Sequence, residues 1–186
     1  MIDVTKEQKR EHRVIEEALN VLNHVCIRFE KSEEVDPEII AKTLEFLQIF
    51  ADKCHHGKEQ DLLFPALEMN GVTRKDSIIG RLRREHEIAE KLLWNVERAL
   101  QDYKGGDTTA RKDILQNARA YQELLRQHID KEDNTLYPLA EKELSEEVKR
   151  GLLSAYERFE NEVIGEGVHE RYHHLIENMK RKVGVK

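Results

Sequence analysis

The sequence predicts an all-α fold: an antiparallel up-and-down four-helix bundle with a C-terminal helical extension. Three observations lead there. Apolar residues recur every three or four positions over long stretches, the period of one helix face. Only 3 prolines and 9 glycines interrupt the 186 residues. The stretches are joined by short connections, which make neighbouring helices antiparallel.

The elements follow in order. A first helix near 5–31 carries His12, Ile15, Leu19, Leu22, Cys26 and Phe29 on one face. Ser32 to Pro37 interrupts it, and Asp36-Pro37 reads as an N-cap with proline at the first helical position of a helix near 37–69. Its stripe of Ile40, Leu44, Leu47 and Ala51 continues onto His55, Glu59, Leu62 and Ala66. Asn70-Gly71 closes this helix, and Thr73 can cap a third, near 74–103, with Ile79, Leu82, His86, Ala89, Glu90 and Leu93 on one side. Gly105-Gly106-Asp107 leads into a fourth, near 107–140, whose face runs Ile114, Ala118, Tyr121, Leu125, His128, Glu132, Leu136 and Leu139. Pro138 and Ser145 separate an extension with helices near 145–163 and 168–182, broken at Gly165-Glu166-Gly167. The expected division is a bundle over 1–141 and an extension over 142–186 packed on the same domain.

Composition narrows the function. A net charge of −6 argues against a nucleic-acid surface. No apolar stretch reaches membrane-spanning length, and the N-terminus lacks an apolar signal core, so no membrane role and a cytoplasmic location are expected. Two cysteines, Cys26 and Cys54, make no disulfide framework and read as buried thiols.

The chain also repeats itself. His55-His56-Gly57-Lys58-Glu59 through Leu63-Phe64-Pro65 matches His128-Ile129-Asp130-Lys131-Glu132 through Leu136-Tyr137-Pro138, 73 residues later. Glu11-His12 through Glu16 matches Glu85-His86 through Glu90, at 74 residues. Each copy therefore supplies one helix with E-H-x-x-x-E and one with H-x-x-K-E, and all four core faces carry a polar group. Unpaired carboxylates cannot be buried cheaply. A metal centre accounts for the pattern, because cations neutralise carboxylates and bind imidazoles. Imidazole with carboxylate suits iron, manganese or zinc. The expected arrangement is His12 and His55 on one ion, His86 and His128 on a second, and Glu59 and Glu132 bridging them. An open position would take a small molecule.

These residues resemble the hemerythrin-like family, the HHE cation-binding domain. The family pattern H … H-x-x-x-E … H … H-x-x-x-E falls on His12, His55 with Glu59, His86, and His128 with Glu132, over about 5–140. The resemblance implies two iron ions, with zinc or manganese as alternatives. It also implies binding or sensing of dioxygen, nitric oxide or peroxide. Oxygen-carrying hemerythrins have a further histidine where this chain has Glu90, and an aspartate at longer spacing where it has Glu132. An extra anionic ligand would favour oxidised iron and weaken reversible oxygen carriage. Glu16 and Glu90 either coordinate or orient His12 and His86. His169 or His173, one turn apart in the extension, could supply a missing nitrogen, ahead of His174.

A redox enzyme or iron donor in oxidative or nitrosative stress repair is the alternative function. A ferritin-like oxidase would carry E-x-x-H on two bundle helices, whereas Glu166-x-x-His169 and Glu170-x-x-His173 share one segment. His56 and His24 are expected at the surface. Lys58 and Lys131 read as surface charges, Tyr121 and Trp94 as core.

Overall fold

The computed structural model describes residues 2–72, 78–165 and 167–184, and the regular elements among the described residues are all helices, without strands. Helix α1 (Lys6–Glu30) ends at Ser32, a non-glycine residue at φ +60°. Helix α2 (Pro37–Phe46) starts where expected: the Asp36 carboxylate accepts from the Glu38 amide at 2.9 Å, ahead of Pro37 at the first turn. It continues without a break through π-helical turns at Leu47–His56 and Glu59–Leu63 into α3 (Phe64–Met69). Gly71, at φ +98°, closes the rod in a conformation open to glycine. The expected cap Thr73 lies outside the described residues.

Helix α4 (Ile78–Lys104) and helix α5 (Arg111–Lys131) follow, and α5 runs through a π turn at Glu132–Leu136 into α6 (Tyr137–Glu143). Helix α7 (Glu146–Phe159) is capped by Ser145, whose hydroxyl accepts from the Val148 amide. A π turn at Glu160–Gly165 precedes α8 (Val168–Val183).

Helix α1 packs on α5 and on the α2 rod, and α4 packs on the same two partners. Two apolar clusters result. One gathers Ile15, Leu19, Phe50, Ala51, Ala89, Leu93, Leu125 and Ile129. The other gathers Val4, Leu63, Phe64, Leu82, Leu136 and Tyr137. In all four helical runs the histidines fall between the two, so the polar groups form a layer inside the core.

The extension covers this core. Tyr172, Ile176 and Met179 of α8 join the first cluster, and the Tyr172 hydroxyl donates to Glu45 at 3.1 Å. Leu152 and Tyr156 of α7 join the second. Among the described residues no helix is long and apolar enough to cross a membrane.

Candidate metal centre

His12 on α1, His55 and Glu59 on the α2 rod, His86 on α4, and His128 and Glu132 at the end of α5 are all buried and meet in the layer between the clusters. Their nitrogens face each other in pairs. His12 Nε2 lies 2.9 Å from His55 Nε2, and His86 Nε2 lies 3.0 Å from His128 Nε2. Glu132 spans the pairs, with Oε2 3.1 Å from His12 Nε2 and Oε1 2.8 Å from His128 Nε2. Glu59 Oε2 lies 3.5 Å from His86 Nε2 and 4.0 Å from His55 Nε2.

On three of the four rings the far side fixes the tautomer. His12 Nδ1 meets Asp133 at 2.8 Å, His55 Nδ1 meets Glu11 at 2.8 Å, and His128 Nδ1 meets Glu85 at 3.0 Å. A carboxylate there accepts the Nδ1 proton, which leaves a lone pair on Nε2 in the neutral ring. His12 and His55 thus turn two lone pairs toward each other at 2.9 Å, an arrangement that needs a shared cation or an added proton. Burial disfavours charge on His12, but Asp133, Glu132 and Glu59 outweigh it and raise its pKa to about 9. His128 behaves alike: burial opposes its charge, yet Glu132, Glu85 and Glu59 raise it to about 10. The site asks for positive charge.

Glu59 Oε2, Glu132 Oε1 and His86 Nδ1 are buried and make no hydrogen bond. Ligand atoms of Glu59, His86, His128 and Glu132 lie within 4.8 Å of one another, as do those of His12, His55 and Glu132. Unsatisfied carboxylate oxygens beside imidazole lone pairs fit a borderline-hard divalent cation. The Hemerythrin HHE cation binding domain pattern matches residues 3–140 of this chain. The chain belongs to the hemerythrin HHE cation-binding family. Uncharacterised proteins of Mycobacterium tuberculosis (strain H37Rv) and Mycobacterium bovis are 21% identical to it over 184 residues, spanning 99% of this chain and 71% of theirs. No solved structure matches.

For this HHE domain the structure explains the repeated E-H and K-E pairs. Glu11 holds His55 and also accepts from Lys58, which reaches Glu160 of the extension at 2.6 Å. Glu85 holds His128 and accepts from Lys131 at 2.6 Å. Lys58 is 0% exposed, so the surface reading of that lysine is corrected. Its charge is tolerated because the Glu11 and Glu160 carboxylates outweigh the burial that opposes it. Lys131 is half-buried beside Glu85.

The two halves are unequal. Gln60 stands at the repeat position of Asp133, and His86 Nδ1 has no partner. Tyr137 donates to Glu59 Oε1 at 2.9 Å and lies 3.2 Å from His12 Nε2. Its repeat partner Phe64 instead lies nearly parallel to the His86 ring, 5.8 Å away. Sequence reasoning missed Tyr137, Asp133, Glu11 and Glu85, although the repeat itself contains three of them.

Glu90 does not join the layer. It is exposed, in a surface pocket with Gln48, Asp52, Lys53 and Trp94. Four residues overshoot an α-helical turn by about 40°, so after His86 the inward positions are Ala89 and Leu93. Glu16 likewise turns outward and pairs with Arg13 at 2.8 Å. Glu59 and Glu132 follow their histidines by the same four residues yet are fully buried, each standing where a π turn opens.

His56, expected at the surface, is 1% exposed and stacks on His86. Trp94, expected in the core, is 52% exposed with Arg98 over its ring. His24 is half-buried, and His174 is exposed. Tyr121 is buried, with no hydrogen bond to its hydroxyl. Cys54 is buried, and burial pushes its thiol up to about 12. The side chains of His169 and His173 lie outside the described residues. The extension reaches the site elsewhere: Glu160 meets Lys58, and Phe159 presses on Gly57, where an added Cβ would sit 2.8 Å from Phe159 Cζ.

Proposed function

We propose that this chain is a non-haem di-iron protein, an up-and-down four-helix bundle that binds or senses a small ligand such as dioxygen, nitric oxide or peroxide. The observation that carries the reading is the pair of imidazoles, His12 and His55, with their Nε2 lone pairs turned on each other at 2.9 Å beside the Glu132 carboxylate. His12 and His55 would hold one ion, His86 and His128 the other, with Glu59 and Glu132 between them. Iron bound there would supply a redox-active Lewis acid to which a diatomic or peroxide attaches.

The chain's own residues set the conditions. Glu11, Glu85 and Asp133 keep three imidazoles in the ligating tautomer. The apolar clusters above and below exclude bulk water and restrict access to small ligands. The Tyr137 hydroxyl, beside His12 and donating to Glu59, is a proton donor at the edge of the site. That hydroxyl also favours the alternative reading, a redox enzyme or iron donor in stress repair.

The test is metal analysis of protein purified aerobically without chelator, with its absorption spectrum before and after azide, nitric oxide or peroxide. Near two equivalents of iron and a ligand-dependent charge-transfer band are expected. A folded protein that takes up neither iron nor zinc would refute the reading.

A further inference from the structure

We propose that His56 is a third imidazole ligand for the ion that His86 and His128 hold. The inference rests on the two-metal reading of the layer and goes beyond it, because it makes the two metal positions chemically different. His56 is 1% exposed, and its Nε2 is buried without a hydrogen-bond partner. A ligand atom of His56 lies within 4.8 Å of ligand atoms of both His86 and His128. The opposite nitrogen, Nδ1, faces the Asp52 carboxylate at 3.4 Å. A carboxylate thus stands at Nδ1, as at His12, His55 and His128, and the other ring nitrogen is left free to bind a cation.

Local backbone makes the placement available. Adjacent side chains on an α-helix diverge by about 100°, which would send His56 outward if His55 faces in. His55 and His56 end the π segment Leu47–His56, whose wider turn narrows that angle. Both rings therefore enter the core.

Packing alone does not account for histidine at this position. The His56 ring lies nearly parallel to His86, with centroids 3.9 Å apart and 16° between planes, and edge-on to His128 at 5.3 Å and 72°. A phenyl ring would stack equally well, as Phe64 does on the same His86 ring, without carrying an unpartnered nitrogen into the interior. The repeat sharpens the point, because Ile129 occupies the matching position in the second copy. The extra nitrogen thus belongs to one half, the half in which Phe64 replaces the tyrosine hydroxyl.

The experiment loads the full chain anaerobically with ferrous iron, and separately with cobalt(II), and compares wild type with His56→Phe and His56→Ile. The first keeps a stacking ring without nitrogen, and the second copies Ile129. His24→Phe is the control, and metal-free circular dichroism establishes which variants fold. Wild type should bind two equivalents. Each folded His56 variant should keep one, with the other weakened at least about 100-fold, and should lose part of the cobalt visible spectrum. Two equivalents of unchanged affinity and spectrum in a folded His56 variant would overturn the inference while leaving the two-metal reading intact. A wild type that binds no metal would overturn both.

Discussion

Lys58 and Glu11 form an ion pair with both side chains fully enclosed, and the same Glu11 holds the Nδ1 of His55 at 2.8 Å. The pair links the extension, through Glu160, to a ring of the site. Removing one partner of a buried pair typically costs about 3–5 kcal/mol. Lys58→Met should therefore destabilise the chain by that order. Lys131→Met, at a more exposed pair with Glu85, should cost about 1 kcal/mol or less. Urea unfolding of both variants at pH 7 checks the ranking, and equal costs would contradict it.

Glu59 and Glu132 are expected to act jointly. Glu59→Ala or Glu132→Ala should lose both metal equivalents together, whereas His12→Ala should lose one. Elemental analysis after dialysis separates these outcomes. Full occupancy in both glutamate variants would remove the bridging assignment.

Protons and metal should compete for the layer. His12 and His128 have pKa values raised from 6.5 to about 9 and about 10 in the folded chain. A raised folded pKa gives stabilisation that is complete below about pH 6.5 and lost as pH rises through those values. The melting temperature of metal-free protein should accordingly fall between pH 6.5 and 10. Zinc loading should flatten that fall and release protons near neutrality. A metal-free melting curve that rises over this range would contradict the cause given.

Tyr137→Phe removes the donor to Glu59 and should cost about 1 kcal/mol without changing metal content. Its effect should appear in the azide or peroxide spectrum of the loaded protein. An unchanged spectrum would show that the hydroxyl has no part in ligand binding.

Gly57→Ala drives a methyl against Phe159 and should destabilise by about 1–3 kcal/mol. Phe159→Ala in the same chain should relieve most of that added cost. A double-mutant cycle by urea unfolding measures the coupling, and additive effects would argue against the contact.

The all-helical fold is legible because the apolar stripes mark helix faces and several caps mark helix ends. The stripe through Ile15, Leu19 and Leu22, the Asp36-Pro37 cap and Gly71 all sit where periodicity and capping put them. His12, His55, Glu59, His86, His128 and Glu132 are legible because the repeat marks them, and the fold brings them together. His56 was misread because a uniform α-helical period turns it outward, and the π turn is not visible in residue types. Lys58 was misread because an isolated lysine belongs in water, and only the fold brings Glu11 and Glu160 to it. Trp94 went astray one residue past Leu93, which takes the inward position instead.

Because both copies of the motif lie in one polypeptide, each can change alone. A homodimer of two-helix halves would carry every substitution twice, by symmetry. Here position 56 is histidine while 129 stays isoleucine, 64 is phenylalanine while 137 is tyrosine, and 60 is glutamine while 133 is aspartate. Covalent fusion frees evolution to adjust the affinity of one half, or its reactivity, while the other is held constant.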